Sequence, residues 1–247
     1  KEVSDSGDLL GGKVLEAVDA DTTCVDAAAA TASAERLINV EGVVAIVGAL
    51  CSGSTIASAN NVAIPNGVVM ISPASTSPAI TGLDDNGLIF RTAPSDARQG
   101  QVLADVLKSK GISNVALTYT NNDYGKGFAD AFSAAFAAKG GSIALSAGHE
   151  DGKADYSAEV AALSATGAEH LVVLGYLVQG GKGIIEESIK SGGFASFSGG
   201  EGMIGQSMID ALGDGIEGMI GTRPGGENEG ATMFAAIAEA NGLTIDG

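Results

Sequence analysis

Short apolar runs rich in β-branched residues alternate with longer Ala-rich stretches along this chain. The runs Lys13–Val18, Val43–Val47, Val68–Ile71, Leu88–Arg91, Val115–Tyr119, Ser142–Leu145, His170–Leu174, Ala195–Ser198 and Gly218–Thr222 predict strands. Most are apolar throughout instead of alternating, which fits parallel strands covered on both faces. Between them, Asp26–Ile38, Gly53–Val62, Ala97–Lys108, Gly125–Ala138, Tyr156–Ala165, Lys182–Ser191 and Gly230–Asn241 predict helices. Asp155 is placed to cap the helix at 156–165, and Gly140-Gly141 and Gly192-Gly193 suit left-handed C-caps. Strand and helix in alternation is the pattern of an α/β protein with parallel sheets flanked by helices.

That many strands predict two sheets. The segments Arg91–Asp96 and Thr222–Gly226 each carry a Pro and read as hinge-like crossovers between them. On this reading residues 1–94 and 225–247 form a first lobe, and 95–224 a second. In open α/β sheets ligands sit at the carboxyl ends of the strands, so candidate chemistry is sought there.

The clusters at those ends are hydroxyl-rich. Leu50-Cys51-Ser52-Gly53-Ser54-Thr55 follows one strand and opens a helix, where hydroxyls and unpaired N–H groups suit an anion such as a carboxylate. Plain N-capping by Ser52 or Ser54 explains the same residues. Ser72-Pro73-Ala74-Ser75-Thr76-Ser77-Pro78 follows the next strand, and two such clusters on one rim favour a binding site. Tyr124, in Asn121–Gly125, and Tyr176, in Gly175-Tyr176, stand at strand ends of the second lobe, where rim packing is the alternative. Glu201, between Gly200 and Gly202, is an unobstructed carboxylate suited to an ammonium group; a solvated loop residue is the plain alternative.

Composition narrows the class. Thirteen basic against 30 acidic residues give a formal net charge of −17. Such a surface repels nucleic acid and anionic membranes. No apolar run reaches the roughly 18 residues of a membrane span. Cys24 and Cys51 each follow a strand-like run, which permits a bridge or two buried thiols. Gly7–Lys13 spells a P-loop, but Val14 replaces the needed Ser or Thr and the segment precedes a strand. His149, expected in an exposed loop, and His170, opening a strand, lack metal-ligand spacing, and no Gly-x-Ser-x-Gly elbow occurs. No catalytic residue, metal or cofactor is expected.

These clusters, in order, resemble the type I periplasmic binding proteins, and within them the leucine/isoleucine/valine-binding branch of branched-chain amino acid ABC transporters. The resemblance runs through Gly48–Thr55, Ile71–Pro78, Phe90–Pro94, Asp123–Gly127, Asp155–Ala158, Gly175-Tyr176, Gly200–Gly202 and Glu217–Met219. It implies that Ser52 and Thr76, with backbone at Ala74, bind a ligand α-carboxylate, and that Glu201 accepts the α-ammonium. It implies that Tyr124 and Tyr176 close over the ligand, that Leu50 and Cys51 border its side chain, and that Cys24 and Cys51 form a disulfide. It also implies a monomeric periplasmic protein that delivers an aliphatic L-amino acid to an ABC transporter permease.

Family members begin with a strand and helix ahead of Lys13 and continue past Gly247, so the first-lobe sheet is expected to lack its first strand and the C-terminal part. The chain starts at Lys1 without a Met or an apolar leader. Leu177 and Val178 stand where the family often has more polar or aromatic residues, which leaves side-chain specificity open. An amino-acid-sensing domain of a receptor or regulator is the alternative function, and a hydrolase using Ser52 or Ser54 a third.

Overall fold

The computed structural model describes residues 2–7, 11–225 and 229–243. They fall into two compact units: residues 1–75 with Leu83–Thr92, and Thr76–Gly82 with everything from Ala93 onward.

The first unit holds a helical turn α1 (Glu2–Asp5), helix α2 (Ala27–Glu35), strand β1 (Ala45–Val47), helix α3 (Ser52–Ser58), β2 (Val69–Ser72) and β3 (Ile89–Arg91). Looser π-helical turns extend α2 over Arg36–Val40 and α3 over Ala59–Ala63. Asp26 starts α2 by accepting from the N–H groups of Ala28 and Ala29, which are orphans at any helix start. The strands pair in parallel in the order β1-β2-β3. Ala30, Ala34, Ala59, Val62, Ala63 and Met70 are buried and form the core of this unit.

Two expectations fail in this unit. The run Lys13–Val18 is extended but joins no ladder. It lines one side of a groove of about 800 Å³ whose other side is Val43–Leu50. Separated from β1 by that space, it pairs with no strand, and its Leu15 N–H donates instead to the Ser4 hydroxyl at 2.9 Å. The sheet is also covered on one face only. Val47, Ile71 and Phe90 stand in register across β1, β2 and β3, and are 84%, 39% and 51% exposed.

The second unit is a five-stranded parallel sheet: β4 (Asn114–Thr120), β5 (Ser142–His149), β6 (His170–Leu174), β7 (Ser196–Gly199) and β8 (Ile220–Gly221), in the order β5-β4-β6-β7-β8. Its helices are α4 (Asp96–Ser109), α5 (Asp123–Ala138), α6 (Ser157–Ser164), α7 (Lys182–Ser191), α8 (Gln206–Leu212) and α9 (Glu229–Ala240). Both faces are covered, as the apolar strands require. Val115, Leu117, Val172 and Leu174 face Leu103 and Leu107 of α4 and Phe128, Phe132 and Phe136 of α5. Ala116, Leu171 and Val173 face Val160, Leu163, Ile184 and Ile185 of α6 and α7.

Strand alternation thus sorts neighbouring residues of β4 and β6 into two cores. Gly192 closes α7 in the left-handed conformation, φ 65°, as the sequence pattern expects. Asp155 does not cap α6 from the cap position, which Tyr156 occupies; instead its carboxylate accepts from the Ser157 N–H and hydroxyl.

His149 is a further correction. It lies at the end of β5, fully buried, with Nδ1 2.8 Å from the Thr118 hydroxyl and Nε2 3.2 Å from that of Thr120. The β5 strand runs beyond its apolar start because alternation continues through Ser146, Ala147 and Gly148, which pair with β4. His170 opens β6 as expected, buried between the hydroxyls of Ser196 at 2.7 Å and Ser198 at 2.9 Å.

Candidate ligand-binding site

In the first unit the two hydroxyl clusters bind each other. Ser72 Oγ donates to the Ala49 carbonyl at 2.6 Å and accepts from the Ser75 N–H at 2.9 Å. Ser75 Oγ lies 2.8 Å from Thr55 Oγ1 and 3.1 Å from the Leu50 carbonyl. Ser54 Oγ donates to the Thr23 carbonyl at 2.6 Å. These side chains are buried, and their hydrogen bonds lash the loop after β1 to the loop after β2. Their richness in Ser and Thr is explained by loop construction: buried polar groups need partners.

Ser52 is buried at the first position of α3, and Cys51 stands at the cap position without a side-chain cap bond. Neither Ser52 nor Ser54 is the cap residue. Cys51 is bridged to Cys24 across 27 positions, Cα–Cα 5.4 Å. Closing a loop of that length restricts the unfolded chain by roughly 3–4 kcal/mol in the chain-entropy model. Leu50 is 63% exposed and Ala74 is exposed, its N–H 3.4 Å from Ser72 Oγ.

The second unit gathers Thr76, Tyr124, Tyr176 and Glu201. Glu201 opens a short 3₁₀ turn after β7 (Glu201–Met203). Its Oε1 accepts from Thr76 Oγ1 at 3.4 Å, and its Oε2 from Gln99 Nε2 at 2.5 Å. Thr76 belongs with this unit, and its hydroxyl stands beside the acid. Glu201 also opens on a pocket of about 460 Å³ lined by Ile204, Gly205, Arg223 and Pro224.

The two tyrosine rings pack at 4.8 Å between centroids, with Tyr124 also against Phe128 at 6.1 Å. Gly175 and Gly202 let the chain segments after β4, β6 and β7 approach closely. A Cβ on Gly202 would sit 2.3 Å from the Gly175 carbonyl, and one on Gly175 would sit 2.0 Å from Thr120 Oγ1. Thr120 Oγ1 in turn accepts from the Tyr176 N–H at 3.2 Å.

Both tyrosine hydroxyls stand near carboxylates. Burial pushes the Tyr124 hydroxyl well above its ordinary pKa, and the carboxylates of Glu201 and Asp96 push it further. Tyr176 moves the same way for the same reasons. Both phenols therefore stay protonated as donors. The Tyr124 hydroxyl is buried close to Glu201 and the Gly202 backbone, without reaching good hydrogen-bond geometry to either. A buried hydroxyl without a partner is costly unless something else supplies one. Thr76 and Gln99 are neutral donors, so neither cancels the charge of Glu201.

Sequence reasoning missed Gln99 and Asp96. Both are buried in the first turn of α4 behind its cap, Ser95, whose Oγ accepts from the Ala97 N–H at 3.2 Å. The hinge reading of Arg91–Asp96 took in the helix start and left Asp96 unread, and Gln99 carries no motif of its own. Among the described residues no group of three or more His, Cys, Asp or Glu is placed to hold a metal ion. No described helix is long and apolar enough to cross a membrane.

Residues 1–242 match the family model described as periplasmic binding protein. The chain is 33% identical over 229 residues to a leucine-, isoleucine-, valine-, threonine- and alanine-binding protein of Pseudomonas aeruginosa, covering 91% of this chain and 59% of that one. It is 30% identical over 224 residues to a Leu/Ile/Val/Thr-binding protein of Salmonella typhimurium, covering 90% and 60%. Among solved structures, the leucine binding protein LivK of Thermotoga maritima superposes with a TM-score of 0.82 at 26% identity, covering 98% of this chain and 69% of that one. LivJ of Streptococcus pneumoniae, a branched-chain amino acid transporter substrate binding protein solved with isoleucine, gives 0.69 at 28%, covering 84% and 59%. The chain spans about 60% of the length of the curated relatives it matches.

Proposed function

The chain belongs to the periplasmic binding protein family, and on that premise we propose that it binds an aliphatic L-amino acid for an ABC importer outside the cytoplasm. The observation that carries the reading is Glu201: a carboxylate held by two neutral donors, beside two protonated tyrosines, open to a pocket. An α-ammonium group matches that carboxylate, and a charge-assisted hydrogen bond there is about twice as strong as a neutral one. Ser52, with backbone at Ala74 and the Thr76 hydroxyl, receives the α-carboxylate; Leu50 and Cys51 border the side chain; Tyr124 and Tyr176 cover the ligand.

The lobes of this function are residues 1–94 with 225–247, and 95–224. The protein acts without catalysis and as a monomer, and an ABC permease takes the ligand from it. Relatives that bind leucine, isoleucine and valine support the aliphatic class.

A thermal-shift panel of the twenty amino acids, with γ-aminobutyrate and amino-acid amides as controls, tests the reading. A ligand that binds only the folded state stabilises it by RT ln(1 + [L]/Kd), so about 3 kcal/mol at a hundredfold excess over Kd. Leucine, isoleucine or valine is expected to raise Tm and the controls are not. No shift with any amino acid contradicts the proposal.

A further inference from the structure

We infer that Gln99 is a positioning residue that presents Glu201 to the ligand ammonium, an inference that rests on the amino-acid reading above. Gln99 Nε2 lies 2.5 Å from Glu201 Oε2, 3.0 Å from the Thr222 carbonyl and 3.1 Å from Thr222 Oγ1. A carboxylate and a carbonyl only accept, so the amide must turn its NH₂, not its oxygen, toward them. One proton goes to Glu201 and the other is shared between the two oxygens of Thr222. The side chain has no freedom to flip while these contacts hold.

The anchor on the far side is fixed. Thr222 follows β8, and its own N–H donates to the Gly199 carbonyl at 3.1 Å. Gly199 ends β7, two residues before Glu201. Gln99 therefore spans from α4 to the exits of two adjacent strands. It is buried, as a brace must be if water is not to compete for its protons. The same helix start holds the other donor, since the Asp96 N–H binds the Thr76 carbonyl at 2.9 Å.

The consequence is chemical. Oε1 of Glu201 accepts from Thr76 and Oε2 from Gln99, with the Tyr124 hydroxyl close by. A carboxylate has about four acceptor positions, so two donors fix its plane and leave capacity for an ammonium. Without Gln99 the carboxylate is free to rotate away and the Thr222 carbonyl loses its partner. A glutamate at 99 would set two carboxylates against each other. Gln99 thus contributes to the preference for ligands that carry a primary ammonium group, without touching them.

The test uses Gln99→Leu, Glu201→Gln and the double variant, titrated with leucine by calorimetry, with unfolding curves to establish that each is folded. Gln99→Leu is expected to weaken leucine binding about tenfold in the wild-type background, as the loss of a charge-assisted hydrogen bond implies. In the Glu201→Gln background it is expected to change binding by less than about twofold, because the group it positions is gone. Equal losses in both backgrounds, or no loss in either, overturn the inference.

The side-chain amide of Gln99, followed by ¹H–¹⁵N NMR without ligand, separates this from the reading it rests on. Slow amide exchange that Glu201→Gln abolishes supports the brace, and fast exchange in the wild type overturns it. If the brace is seen but no amino acid binds the wild type, the ligand assignment fails and the role of Gln99 fails with it. If leucine binds normally and ignores Gln99→Leu, the role alone fails.

Discussion

His149 and His170 illustrate how a residue type changes meaning with burial. Their ring nitrogens face threonine and serine hydroxyls, and burial lowers each pKa to about 4. For His149 the neighbouring Glu159, Glu150 and Asp151 pull in the other direction and do not prevail. The folded state keeps both rings neutral, while the unfolded chain protonates near pH 6.5. The stabilisation from neutral burial is therefore complete above pH 6.5 and is lost as pH falls toward 4, up to about 3 kcal/mol per histidine. Urea unfolding at pH 7.5 and pH 4.5 is expected to show this loss, and His170→Gln to flatten the profile.

Tyr124 makes the opposite point. Its hydroxyl is buried without a well-formed protein partner, so Tyr124→Phe is expected to leave stability in urea within about 0.5 kcal/mol or to raise it. Leucine binding is expected to weaken.

Helix α5 and strand β1 show how differently two elements are fixed. Phe128, Phe132 and Phe136 lie on one side of α5, all fully buried, and recur every four residues in the sequence. Phe132→Ala is expected to lower stability by about 3–5 kcal/mol in urea unfolding. Strand β1 carries the same apolar text but leaves Val47 exposed, so Val47→Thr is expected to change stability by less than about 0.5 kcal/mol.

The second unit was legible because each apolar strand residue found a helix to cover it. The first was less so, because hydrophobicity states what a strand prefers to touch and not whether anything touches it. Lys13–Val18 reads as a strand on composition alone, yet a ladder needs a neighbour. The site divides in the same way. The two tyrosines stood out as scarce side chains at strand ends, and Glu201 as a carboxylate among glycines. The serines and threonines stood out equally, and most of them turn out to tie loops together. Gln99 gave no signal of its own, since its role arises from a residue 102 positions away.

At the scale of the whole molecule, two α/β units carry different chemistry. The first contributes a disulfide-tied helix start with Ser52 buried in its first turn, and the second an oriented carboxylate among aromatic rings. The net charge of −17 makes the carboxylate no rarity, so what distinguishes Glu201 is its mounting. Replacing Cys24 and Cys51 together by Ser is expected to cost roughly 3–4 kcal/mol in unfolding measurements, the loop-closure contribution of their bridge.

The central claim is that Glu201 accepts the ammonium of an amino acid, and calorimetric titration of Glu201→Gln with leucine addresses it directly. Removing the charge from one partner of a desolvated ammonium–carboxylate pair is expected to lower affinity at least about thirtyfold, or 2 kcal/mol, with the unliganded Tm unchanged. Affinity within threefold of the wild type would contradict the assignment.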